Sequence, residues 1–272
     1  MICFPNAKIN LGLHVTEKRT DGFHNIETIF YPVGWNDALE IIETTSSSSE
    51  FNLQLSGLPI HGELQDNLLY KAYSFIKEIK KVPQINVYLH KVLPMGAGLG
   101  GGSSDAAFFI NLLNEQFQLK LSENQKLQVA KKLGSDCAFF INNKPVFAYE
   151  RGDIFKPIEL DLSKYYIALI FPNVHSNTKD AYSLVKPKHP KHSVLEVIQQ
   201  PIETWKTNLV NDFEISIFDK YPIVSTTKQD LYNCGALYAC MSGSGSAVFG
   251  IFDSEPIING LSNFPHWIGK MI

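Results

Sequence analysis

The chain has 272 residues, 44% of them hydrophobic and 19% charged, which supplies a core for one large or two ordinary domains. A net charge of −3 at neutral pH and a pI near 6.2 give no electrostatic case for nucleic acid or a membrane surface as partner. No apolar run approaches the length of a membrane span, and the opening MICFPNAKINLGLHV lacks a charged-then-apolar signal layout, so a cytoplasmic protein is expected.

In chain order, the first informative segment is AKINLGLHV. Ala7, Ile9, Leu11, Leu13 and Val15 form one face of a strand, with Lys8, Asn10, Gly12 and His14 on the other. On its own this also reads as a strand with a wet face. RTDGFHNIETIF follows, with a turn at Asp21-Gly22 carrying Phe23 and His24. The alternating segments WNDALEIIE and FNLQLSG flank a serine-rich tract, TTSSSSE, which predicts a hairpin loop over residues 44–50. LLYKAYSFIKEI has helical spacing, with Asp66 or Asn67 near its start.

The strand INVYLHKVL then leads into PMGAGLGGGSSDAA. Downstream, Ala106, Phe109, Ile110, Leu113 and Phe117 fall at helical spacing, with Ser103, Ser104 or Asp105 placed to cap the first turn. A glycine loop at a strand-to-helix junction aims backbone N–H groups and the helix N-terminus at an anion, so a phosphate is expected there. Gly96-x-Gly98-x-x-Gly101 also satisfies the dinucleotide fingerprint. That reading wants an acid about 20 residues on, closing the next strand, whereas Glu115 and Glu123 sit in helical or capping sequence. A Walker A loop is excluded, because Gly102 and Ser103 stand where Lys and Ser/Thr are required.

A helix is predicted from Ser122, with Gln125 as its capping-box partner, to Gly134. In GSDCAFFI, Asp136 precedes an apolar run and reads, alone, as a cap. The polar ERGD near residues 148–155 suggests a boundary. Beyond it come the strand YYIALIF, a helix through Ala181–Val185, and further helical segments. Last, ALYACMSGSGSAVFGIF predicts two strands joined by a glycine–serine loop, Ser242 to Ser246. The four cysteines show no CxxC spacing and read as free thiols of a reducing compartment. His189 and His192 fall in a solvated, proline- and lysine-rich stretch and are not read as a metal site.

Taken together, PNAKINLGLHV…RTDGFHNIETIF, PMGAGLGGGSSDAA, GSDCAFF and MSGSGSAVF resemble the ordered motif set of the GHMP small-molecule kinases, from Asn6 to about Ile251. The resemblance implies an α+β architecture in two domains. Residues 1–150 would form a ribosomal-S5-like half, and residues 151–272 a ferredoxin-like half, with ATP and an alcohol meeting between them. It implies that Pro94, Met95, Gly96, Ala97, Gly98, Leu99, Gly100, Gly101, Gly102, Ser103 and Ser104 wrap the ATP phosphates, with Asn67 and Lys91 near the nucleotide. Lys8 and Asp136 match the catalytic lysine and carboxylate. The N-terminal motif pair implies the branch that acts on a cytidylyl sugar alcohol. There Phe23 and Tyr182 would sandwich the cytosine, His24 would hydrogen-bond its edge, and Asn10 would bind the diol chain. The family often has Tyr where this chain has Phe23, and Pro where it has Ala138.

Mg²⁺ is expected to arrive with ATP, with no dedicated carboxylate cluster and no protein metal ligand assigned beyond a serine of the glycine loop. The partner is then a small molecule, and the chain a monomer or weak homodimer. The rival readings are a GHMP kinase acting on mevalonate, homoserine or a sugar, and a catalytically silent nucleotide-binding protein on the same scaffold.

Overall fold

The alternation read near the N-terminus produces a long strand, and the helical spacing after the glycine loop produces a long helix. The computed structural model describes residues 1–45 and 49–272. The chain begins with β1 (Ile2–Cys3), β2 (Asn6–Lys18), β3 (His24–Asn36), β4 (Ala38–Glu43) and β5 (Phe51–Gly57). Next come α1 (Leu68–Lys77), β6 (Ile85–Lys91), α2 (Gly101–Gln116), α3 (Glu123–Leu133) and α4 (Ser135–Asn142). β7 (Val146–Glu150), β8 (Ile154–Pro157), β9 (Tyr166–Ile170), α5 (Thr178–Tyr182) and α6 (Val194–Val197) follow. The chain continues through α7 (Trp205–Asn208), α8 (Glu214–Lys220), α9 (Pro222–Asn233), β10 (Tyr238–Met241), β11 (Val248–Phe252) and β12 (His266–Lys270).

These elements group into two compact units that interleave along the sequence. One comprises Met1–Ala7, Trp35–Leu93 and Gly100–Asn143, and the other Lys8–Gly34, Pro94–Leu99 and Lys144–Ile272. The first unit holds the sheet β1-β4-β6-β5, with α1 to α4 packed among themselves and α2 against β4. Leu39 and Ile41 of β4 and Val87 and Leu89 of β6 alternate into its core. Phe51 joins sheet to helices, its ring 5.1 Å from Tyr73 and 6.1 Å from Phe109. Phe109 is fully buried, so its truncation would cost about 3–5 kcal/mol.

Two capping expectations hold. Asn67 Oδ1 accepts from Leu69 N–H at the start of α1, and Ser122 with Gln125 forms a capping box on α3. One other capping expectation and one hairpin expectation are corrected. Helix α2 starts at Gly101 behind a left-handed Gly100 (φ 71°), so Ser103, Ser104 and Asp105 lie inside its first turns and cap nothing. The tract over residues 44–50 does not close a hairpin, although its residues 46–48 lie outside the described residues. β6 inserts between the flanking strands, antiparallel to β4 and parallel to β5. A strand that the chain supplies only later thus takes the edge of β4 that a hairpin would have given to β5.

The second unit holds two antiparallel sheets, β2-β3-β7-β8 and β10-β11-β9-β12. The second of these has the strand order of a ferredoxin-like βαββαβ unit, with turns rather than a helix between β11 and β12. Its core gathers Ile170 of β9, Ile217 of α8, Leu231 of α9, Met241 of β10 and Val248 of β11 around Leu13 and Val15 of β2. The ERGD segment is the turn of the β7–β8 hairpin. The helix expected through Ala181–Val185 instead spans Thr178–Tyr182, because Asn177 Oδ1 caps it from Asp180 N–H.

Candidate active site

Along β2 both faces are buried, not one. Lys8, Asn10 and His14 are 3%, 2% and 5% exposed, which excludes the solvated-face reading of this strand. Lys8 and Asn10 share a face, as the alternation requires, and Lys8 Nζ donates to Asn10 Oδ1 at 2.6 Å. The same ammonium lies 4.7 Å above the centroid of the Phe30 ring. Asn10 Nδ2 donates to Thr28 Oγ1 at 3.0 Å, and Thr28 Oγ1 to Gly12 O at 2.5 Å. The Asn10 carboxamide is therefore already committed inside the protein, leaving at most one N–H for a substrate diol.

The glycine loop reaches the same place. Lys8 N–H donates to Leu99 O at 3.0 Å, and Ala247 N–H to Ala97 O at 3.0 Å. Ser242 Oγ donates to Gly98 O at 2.9 Å and lies 3.4 Å from Asn10 Oδ1, while Asn10 N–H points at Ser242 Oγ from 3.3 Å. The approach is so close that a Cβ on Gly98 would fall 2.0 Å from Ser242 O, and Gly98 also takes φ 78°. Gly96 and Gly100 take φ values of 64° and 71°, so this loop needs glycine for its backbone as well as its contacts. Ser176 Oγ donates to Ser244 O at 2.7 Å, and Ser246 Oγ donates to Val174 O, which fixes the rest of the second loop. Thus Lys8, Asn10, Pro94–Leu99 and Ser242–Ser246 belong to one unit and, through these bonds, to one network.

The remaining glycine-loop residues, Gly100 to Ser104, and Asp136 belong to the other unit. Gly101, Gly102 and Ser103 open α2, where backbone N–H groups have no intrahelical partner. Ser104 Oγ and Asp105 Oδ1 are buried with no hydrogen-bond partner among the described residues. Asp136 lies in the first turn of α4, behind Gly134, so it is not the cap that the sequence suggested. A carboxylate there is favoured by the helix dipole, and Ser135 Oγ donates to Asp136 Oδ1 at 3.4 Å.

Lys91 is not free to meet a nucleotide. Its ammonium is about 1% exposed and bridges Asp37 Oδ2 at 2.5 Å and Asp105 Oδ2 at 2.6 Å. Asp37 Oδ1 accepts the N–H groups of Val92 and Leu93 at 2.6 and 2.8 Å, at the entrance to the glycine loop. Burial raises the Asp105 carboxyl to about 7, against the pull of the Lys91 ammonium. This triad ties β6 to α2, and no local pattern of residues signals it.

In the second unit Phe23, His24 and Tyr182 come together around a cavity of about 300 Å³ that Gly22, Arg151, Thr178 and Lys179 complete. Phe23 is 57% exposed, which argues against core packing, and Arg151 faces its ring at 5.4 Å. His24 stacks on Tyr182 with centroids 4.5 Å apart and planes 21° off parallel. Tyr182 in turn meets the Phe213 ring edge-on at 4.7 Å. Burial, with the Lys18 charge, pushes the His24 imidazole below its ordinary value. One face of Tyr182 is thus covered by the His24 ring. Arg151 and Lys179, missed by the sequence reading, give this aromatic cavity a positive rim. Among the described residues there is no cluster of three or more His, Cys, Asp or Glu side chains that could hold a metal.

A glycine loop held against a lysine-bearing strand by a second glycine–serine loop is the arrangement of a small-molecule kinase. The family model described as GHMP kinases N terminal domain matches residues 67–144, and that described as GHMP kinases C terminal matches residues 196–265. The 4-diphosphocytidyl-2-C-methyl-D-erythritol kinase of Bacteroides fragilis is 52% identical, covering 94% of this chain and 93% of that one. A crystal structure of 4-(cytidine 5'-diphospho)-2C-methyl-D-erythritol kinase superposes with a TM-score of 0.80 at 29% identity, over 92% of this chain and 90% of that one. The mevalonate kinase of Methanococcus jannaschii superposes at 0.70 with 11% identity, over 100% of this chain and 98% of that one, and shares the fold alone. The chain belongs to the GHMP kinases and, within them, to the 4-diphosphocytidyl-2-C-methyl-D-erythritol kinase family. As a kinase of this family it is an ATP-dependent phosphotransferase.

Proposed function

We propose that the chain transfers the γ-phosphoryl group of ATP to the 2-hydroxyl of 4-diphosphocytidyl-2-C-methyl-D-erythritol, in non-mevalonate isoprenoid precursor synthesis. The observation that carries this reading is the cavity lined by Phe23, His24, Tyr182, Arg151 and Lys179. Its aromatic walls suit a pyrimidine, and its two cations suit a diphosphate. Mevalonate, homoserine and simple sugars carry no base to occupy it. The substrate-binding residues are then Phe23, Tyr182 and His24, with Asn10 beside the reacting end.

In the transfer, the 2-hydroxyl oxygen bonds to the γ-phosphorus, the bond from that phosphorus to the β–γ bridging oxygen breaks, and ADP leaves. The hydroxyl proton passes to Asp136 and from there to solvent. The transition state is loose, so orientation of the carboxylate matters more than its basicity. Lys8, held by Asn10, places positive charge beside the transferred group. The loop residues Pro94 to Ser104 wrap the phosphates, and the backbone N–H groups of Met95 to Ser103 are the donors, since proline has none and Ser104 N–H donates to Gly100 O. Mg²⁺ arriving with ATP would neutralise phosphate charge, and it would be held by the Ser104 hydroxyl, buried with no partner among the described residues, or by that of Ser103. The protein acts in the cytoplasm as a monomer or weak homodimer. No helix among the described residues is long and apolar enough to cross a membrane, and the pI is near 6.2.

The test is ADP release by the purified protein with Mg²⁺-ATP and each of the cytidylyl alcohol, mevalonate and homoserine. Turnover with the cytidylyl alcohol alone is expected, and turnover with another alcohol would move the assignment elsewhere in the family. Asp136→Asn should then lower kcat by orders of magnitude with a modest change in KM, because it removes an interaction made in the transition state. A kcat near wild type would remove Asp136 from the mechanism, and silence with every alcohol would favour the nucleotide-binding reading.

A further inference from the structure

The run LVNDFEISIF, residues 209–218, places Asn211 and Asp212 just before α8 and Glu214 at its first position, among apolar neighbours. Asn211, Asp212 and Glu214 are nevertheless 2%, 7% and 8% exposed. Asn211 Nδ2 donates to Met241 O and to Gly243 O, each at 2.8 Å. Both N–H groups of one buried amide are therefore spent on the carbonyls that flank Ser242. Asn211 Oδ1 accepts from Phe213 N–H at 3.0 Å, so the amide is held from its own backbone. The same segment is fastened to β2. Leu13 N–H donates to Val210 O and Asp212 N–H to Leu13 O, both at 2.8 Å, and Asp212 Oδ2 accepts Val15 N–H at 2.9 Å. Glu214 Oε1 accepts Met241 N–H at 2.9 Å while Lys228 holds its other oxygen at 2.7 Å.

We infer that Asn211 is a positioning residue for phosphoryl transfer, acting through Ser242. By fixing the carbonyls of Met241 and Gly243, it sets the Ser242 hydroxyl that bonds Gly98 O in the phosphate loop and faces Asn10, the residue holding the Lys8 ammonium. One buried amide thereby registers the phosphate loop against the lysine. This rests on the roles given above to Lys8 and the glycine loop, not on which alcohol is the acceptor. A misplacement of the order of 1 Å in such a site costs about 10²-fold in rate.

The test compares Asn211→Ala, Ser242→Ala, the double variant and Tyr238→Phe in the full chain. Tyr238→Phe removes another buried side chain-to-carbonyl bond of the same unit, to Leu209 O at 2.8 Å, and serves as the structural control. Steady-state kinetics, melting temperature and calorimetric binding of a non-hydrolysable ATP analogue are measured for each. Asn211→Ala should lose about 10- to 100-fold in kcat and weaken analogue binding, while KM for the alcohol moves less than threefold. Tyr238→Phe should melt earlier with kinetics near wild type, and the double variant should be no worse than the poorer single one. Asn211→Ala behaving like Tyr238→Phe, or the two single losses multiplying in the double variant, overturns the inference. If Asn211→Ala does not fold, Asn211→Ser replaces it, and wild-type kinetics from Ser242→Ala alone overturn the inference in any case. The analogue-binding arm reads the loop directly, so wild-type protein that binds the analogue but does not turn over the cytidylyl alcohol faults the substrate assignment instead.

Discussion

Lys8 Nζ stands 2.6 Å from Asn10 Oδ1, on a strand face where neither residue is more than 3% exposed. A buried ammonium is costly unless oxygen atoms surround it, and its position is set by those atoms. Asn10→Ala removes one of them without touching the charge. The expected result is a fall of about 10²-fold in kcat with a smaller change in KM for ATP. Steady-state kinetics check it, and an unchanged kcat would mean that Lys8 is placed without Asn10.

Phe23 is the most exposed aromatic of the cavity, with Arg151 at 5.4 Å from its ring. Stacking of a base on such a ring is worth about 1–3 kcal/mol. Phe23→Ala should therefore raise KM for the cytidylyl alcohol by about 5- to 150-fold and leave ATP binding alone. Phe23→Tyr should be close to wild type. A KM unmoved by the alanine change would take the base away from this ring.

Gly98 and Gly260 share φ 78°, but only Gly98 would drive a Cβ into a backbone oxygen, Ser242 O at 2.0 Å. Alanine at either position carries the same left-handed strain, about 1–2 kcal/mol. The difference between the two variants therefore isolates the contact between the loops. Gly98→Ala should raise KM for ATP at least about tenfold, while Gly260→Ala keeps wild-type kinetics. Equal effects would mean that the contact is dispensable.

The Asp105 carboxyl, at about 7 in the folded chain, lies above its ordinary value of 3.8. Between those values the folded chain holds a proton that the unfolded chain has released. The associated stability is full below about pH 4 and is lost as pH rises through about 7. Asp105→Asn has no proton to lose, so its melting temperature should gain on wild type as pH rises from about 4 to about 7 and hold that gain above, at about 2–4 °C per kcal/mol. Calorimetric melting across that range checks it, and parallel curves would show Asp105 to be ionised throughout.

Much of the fold was legible where the signal is local. The alternation in β2 placed Lys8 and Asn10 on one face, and Ser122 with Gln125 marked the start of α3. What escaped depended on distant partners. β6 separates β4 from β5, so a serine-rich tract that looked like a hairpin is not one. The resemblance placed Lys91 near the nucleotide, and its pairing with Asp37, 54 residues away, had no local signal. Asn211 carries no local signal, because the carbonyls it holds come 30 and 32 residues later. His24 read as an edge donor for a base, and its stacking on Tyr182 could not be inferred from spacing.

The interleaving of the two units sets the timetable of synthesis. A ribosome has made every residue of the first unit once it passes Asn143, but the second begins at Lys8 and is finished only by residues 144–272. Throughout that interval the segment of β2 carrying Lys8 and Asn10 has neither the Asn211–Asp212 backbone nor Ser242 to bond with. Pairing across such a separation is slow, and an unpaired apolar strand is open to aggregation in the meantime. The nascent chain thus carries its lysine in one of its longest-exposed strands, and early termination leaves that strand without the bonds that bury it.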